Sequence, residues 1–86
     1  MINKTINFVP KKEAERVVPM LVQTASQYQS RICFTKNEKT ANVKSIMGML
    51  NFGLNPDEPI DVAIEGEDEE EAMKRIEDFL TSAQIG

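Results

Sequence analysis

The chain opens on an alternation. Ile2, Ile6 and Phe8 share one parity while Asn3, Thr5 and Asn7 take the other, which predicts a strand with one wet face. Pro10 ends it, and Lys11 to Glu15 reads as a charged connection. The period then changes. Val17, Leu21, Thr24, Ala25 and Tyr28 recur at helical spacing and predict a first helix from about Glu15 to Tyr28. Pro19 falls near its start, where a missing N–H costs little. Arg31 to Lys36 and Thr40 to Val43 are short β-rich runs separated by Asn37-Glu38-Lys39, the pattern of a hairpin in which Asn37 suits a left-handed turn. Ser45 to Phe52 predicts a short apolar helix ending near Gly53, and Asn55 to Pro59 has turn composition. Ile60, Val62 and Ile64 alternate with Asp61, Ala63 and Glu65, a fourth strand. The last helix follows Gly66. Its buried stripe is Ala72, Ile76, Phe79, Leu80 and Ala83, and Asp68 with Glu71 has the spacing of a capping box.

The order β–α–β–β–α–β–α predicts an α+β sandwich, one sheet covered by helices on one face. At 86 residues the chain is expected to form one domain, residues 1–86. Ten basic residues against fourteen acidic leave a net charge of −4, a poor footprint for direct nucleic-acid binding. The chain contains no histidine, which excludes imidazole acid–base catalysis, imidazole metal ligation and phosphohistidine chemistry. A single cysteine, Cys33, excludes an intramolecular disulfide and a cysteine-based zinc site; within its apolar run it reads as a small buried hydrophobe. No stretch approaches the ~20 apolar residues of a membrane span and the N-terminus lacks a signal pattern, so a cytoplasmic, unprocessed protein is expected. The acidic run Glu67 to Glu71 suits the first turn of a helix, and without alternating ligands around a central glycine it is not read as a calcium loop. No metal, cofactor or catalytic constellation is expected.

Val43 to Leu54 does not read as structure alone. A short helix over this segment can bury Met49 and Phe52 with help from Ile46, which leaves Met47 and Leu50 exposed on a charged protein and suggests a contact surface. Ser45 is placed to cap that helix. It is also placed to carry a phosphate, which would meet unpaired first-turn N–H groups and sit beside Lys44. Both roles stand on the spacing.

Lys44-Ser45-Ile46-Met47-Gly48 followed by Phe52-Gly53-Leu54, with Leu21-Val22-Gln23-Thr24-Ala25-Ser26 and Tyr28 upstream, closely resembles HPr, the phosphocarrier family of the bacterial sugar phosphotransferase system. The resemblance covers most of the chain and implies that family's open-faced β-sandwich, four antiparallel strands with three helices on one face. It fails where the family does its chemistry. Aligned without a gap from Leu21 backwards, Ala14 falls on the position of the phosphate-accepting histidine and Val17 on the following proline, while Arg16 matches the family arginine. A methyl group cannot hold a phosphoryl group. An acyl phosphate on Glu13 or Glu15 would meet extra negative charge where phosphate has to be stabilised.

The family's second functional position survives. Ser45 matches the serine phosphorylated by HPr kinase/phosphorylase, after which the family protein binds a LacI-type regulator, catabolite control protein A, as corepressor. Arg16, Ile46, Met47 and Leu50 match the partner-binding face. The Crh proteins, HPr-like without the active histidine, are similar in design. The resemblance therefore implies a non-enzymatic regulatory protein controlled at Ser45. The alternatives are an interaction module of the same fold without phosphorylation, and a phosphocarrier using another residue.

Overall fold

The computed structural model describes residues 1–8, 14–54 and 58–81, those of 14–16 by their backbone alone. The elements are β1 (Ile2–Asn7), α1 (Ala14–Ala25), β2 (Arg31–Lys36), β3 (Lys39–Asn42), α2 (Ile46–Phe52), β4 (Pro59–Glu65) and α3 (Glu69–Thr81). The strands form one antiparallel sheet in the order β1-β4-β2-β3. This is the expected α+β open-faced sandwich.

Strand parity decides which side of the sheet is covered. Ile6, Ile32, Phe34, Ile60, Val62 and Ile64 point to one side and are buried. Against them pack Val17, Leu21, Val22 and Ala25 of α1, Met49 and Phe52 of α2, and Ala72, Met73, Ile76, Phe79 and Leu80 of α3. The other side carries small and polar side chains, with Thr5 donating to Asp61 at 2.7 Å and Thr35 facing Thr40 at 3.2 Å. Cys33 lies on this uncovered side, opposite Ala63 and Asn42, and is half-buried rather than part of the core. Ile32 and Phe34 occupy the inward parity, so the residue between them must face out.

Several boundaries differ from expectation for identifiable reasons. α1 begins at Ala14 and stops at Ala25, where the N–H groups of Gln27 and Tyr28 tighten onto the carbonyls of Thr24 and Ala25, each at 3.2 Å. Pro19 is consequently inside the helix, past its first turn, with its ring exposed. The hairpin turns on two residues, with Lys36 paired to Lys39, so β3 starts one residue earlier than Thr40. Both turn residues have left-handed backbone, Asn37 at φ 45° and Glu38 at φ 68°, the geometry that matches the twist of the flanking strands.

The start of α3 is tied differently from the expected Asp68–Glu71 box. The Asp68 carboxylate accepts from the amides of Gln29 and Ser30, each at 2.9 Å, and from the Ser30 hydroxyl, joining the α1–β2 turn to the β4–α3 turn. Glu69 makes the reach-back instead, accepting from the Gly66 N–H at 3.1 Å, and meets the Met1 ammonium at 3.1 Å. The Ser30 hydroxyl, and then the Gln29 amide, hold the Asp68 carboxyl below the usual carboxylate range. The Gly66 amide does the same for Glu69, helped by the Met1 ammonium. Pro10, Glu13, the turn 55–57 and Ala83 lie outside the described residues.

Candidate functional site

α2 is short because its sequence supplies both ends. Ser45 is extended at φ −109°, ψ 116°, and its Oγ accepts from the Gly48 N–H at 3.1 Å, while its carbonyl accepts from Met49 at 3.0 Å. Gly53 closes the other end with φ 74°, donating its N–H to the Met49 carbonyl at 3.0 Å. Gly48 leaves room at the cap: a Cβ there would stand 3.3 Å from the Ser45 Oγ. The approach to Ser45 is an Asx turn in which the Asn42 side chain accepts from the Lys44 N–H at 2.9 Å and its carbonyl accepts from the Ser45 N–H at 3.0 Å. Among the described residues the bond shown at the Ser45 hydroxyl is the one it accepts from the Gly48 N–H, with no carboxylate bonded to it.

The two faces of α2 are sharply different. Met49 and Phe52 are buried, whereas Met47 is 71% exposed, Leu50 53% and Ile46 49%. Contrary to the expectation that it helps fill the core, Ile46, the first residue of the helix, belongs to the exposed group. α2 carries no charged residue, and it packs beside α1, whose Met20 is also exposed at 47%. Scattered exposed apolar side chains are ordinary; three within five positions of one short helix form a patch.

Of the other predicted site residues, Ala14 and Arg16 fall at the first and third positions of α1, and their side chains lie outside the description. The Lys44 ammonium is not turned to Ser45. It donates to the Tyr28 carbonyl at 2.6 Å and so holds the α1–β2 turn against the approach to α2. Lys36, not among the predicted site residues, is buried behind α2 with its ammonium on the Gly53 carbonyl and on Glu58. Its signal was available: it shares the inward parity of Ile32 and Phe34.

A family model described as the PTS HPr component phosphorylation site matches residues 12–82. The chain belongs to the HPr family. Among solved structures, an HPr from Thermoanaerobacter tengcongensis is 37% identical, with a TM-score of 0.88 over 95% of this chain and 93% of the other. The phosphocarrier protein HPr of Bacillus anthracis is 28% identical at a TM-score of 0.87, covering 93% and 96%. Crh, the catabolite repression containing protein of Bacillus subtilis, is 25% identical at 0.72, covering 87% and 83%. The HPr fold thus accounts for the sheet order and the three helices. No described helix is long and apolar enough to cross a membrane.

Proposed function

We propose that this chain is a cytoplasmic, non-enzymatic regulatory member of the HPr family. In this reading it is phosphorylated on Ser45 by an HPr kinase/phosphorylase-type kinase and then recognised by a LacI-type regulator of carbon catabolism. The observation that carries the reading is a juxtaposition: the Ser45 hydroxyl heads a helix whose outer side presents Ile46, Met47 and Leu50 without a charge among them. Arg16 and the three apolar side chains would form the partner-binding face. A phosphoryl group on Ser45 adds about two negative charges and three acceptor oxygens beside that patch, where the Gly48 N–H and the positive end of the helix favour it. The change is large in charge and small in structure, which suits an interaction switch.

The loss of the carrier reaction rests on composition and alignment. The chain has no histidine, and Ala14 occupies the aligned acceptor position. Regulation would therefore act through a partner protein, consistent with a net charge of −4 that does not favour DNA.

Titration of a LacI-type catabolite regulator with the Ser45-phosphorylated and unmodified forms tests the proposal. At least tenfold tighter binding of the phosphorylated form is expected, and equal affinity would remove the regulatory role. A second reading is favoured by the cap itself: the hydroxyl already has a structural use, and the patch needs no phosphate to be apolar. In that case wild type, Ser45→Ala and Ser45→Asp would capture the same partner equally.

A further inference from the structure

Seven residues are too few for a helix to persist on its own, so α2 depends on ties to the rest of the molecule. At its beginning the Ser45 N–H donates to the carbonyl of Asn42, the last residue of β3, at 3.0 Å. The tie at its end is Lys36, whose side chain is only 6% exposed and which occupies the inward parity of β2, a place where lysine is rare unless paired. Its ammonium donates to the carbonyl of Gly53, the residue that closes α2, and to Glu58 Oε1 at 2.5 Å, just before β4. It also lies 4.9 Å from the centroid of the Phe52 ring, which in turn packs on Phe34 at 6.2 Å. One side chain thereby joins the hairpin, the last turn of α2 and the entry to β4. A buried ion pair is a weak stabiliser compared with apolar packing of the same volume, but it is specific about geometry.

We infer that Lys36 is a positioning residue for the surface of α2. With Glu58 as counter-ion, it fixes the last turn of the helix, and so Leu50, against the sheet. The inference rests on reading that surface as the docking face, but its main test does not.

That test is residue-resolved amide hydrogen exchange on the folded protein, comparing wild type, Lys36→Met and Lys36→Arg. The expected result is at least tenfold faster exchange at Leu50 and Gly53 in Lys36→Met, with the amides of Ile32 and Ile64 within twofold of wild type. Lys36→Arg keeps the charge and hydrogen-bond donors, so Leu50 and Gly53 should exchange more slowly in it than in Lys36→Met. Equal acceleration in α2 and the sheet, or no change in α2, would overturn the inference. Should Lys36→Met fail to fold, Glu58→Gln is read against the same two outcomes. Phosphorylation of Ser45 by an HPr kinase supplies the functional arm: Lys36→Met should raise KM several-fold with kcat unchanged, and an unchanged KM would contradict a positioning role. If wild type takes no label at all, the proposed regulation fails while the exchange result still decides on Lys36.

Discussion

Ser45 Oγ stands 3.1 Å from the Gly48 amide, so the atom proposed to receive phosphate is the atom that caps α2. Removing it has a structural cost separable from regulation. Ser45→Ala should lose about 1 kcal/mol of stability, and Ser45→Asp should keep most of it, since a carboxylate caps a helix as well as a hydroxyl does. Urea unfolding midpoints in the order wild type, Ser45→Asp, Ser45→Ala would bear this out.

The two sides of α2 should separate stability from binding. Met49 is fully buried, and Met49→Ala should cost about 2–5 kcal/mol because a cavity replaces its side chain. Met47→Ala and Leu50→Ala, on the exposed side, should stay within about 0.5 kcal/mol of wild type. Loss of partner affinity in the latter pair without a shift in thermal midpoint would mark the docking face.

Much of this architecture is legible in the sequence. The alternation of Ile60, Val62 and Ile64 and the helical spacing of Ala72, Ile76, Phe79 and Leu80 report burial directly, because each is set by the geometry of one element. The cap at Ser45 and the exposure of Met47 and Leu50 were legible for the same reason. What was not legible depends on residues distant in sequence. Asp68 is drawn away from its own helix by donors at Gln29 and Ser30, and Lys44 is drawn to Tyr28. Lys36 finds Gly53 and Glu58 across two loops. The apolar character of Ile46 does not say which way it faces, and of this short helix only Met49 and Phe52 are buried.

The hairpin carries a local misfit that can be relieved. Glu38 holds φ 68°, a conformation that disfavours any side chain with a Cβ. Glu38→Gly should therefore stabilise the fold by about 0.5–1 kcal/mol, part of the relief being offset by the entropy glycine loses on folding. A raised thermal midpoint with an unchanged denaturant slope would be the evidence.

Acid should loosen the junction between the α1–β2 and β4–α3 turns. The Asp68 and Glu69 carboxyls titrate below their ordinary values in the folded chain, through the Ser30 hydroxyl and the Gly66 amide respectively. A lowered folded value means that their contribution is present above the ordinary carboxyl range and disappears as pH falls through the lowered values, below about pH 4. Stability measured from pH 5 to pH 2 should fall more gently in Asp68→Asn than in wild type. Identical slopes would place the acid sensitivity elsewhere.

The most direct measurement sets two phosphate donors side by side on the intact protein. With ATP and an HPr kinase/phosphorylase, wild type should take up one phosphate mapped to Ser45, and Ser45→Ala none. With phosphoenolpyruvate and enzyme I, neither should be labelled. No label from the kinase, or undiminished label on Ser45→Ala, would contradict regulation at Ser45, and an acid-labile, hydroxylamine-sensitive phosphate from enzyme I would restore the carrier function that the absence of histidine argues against.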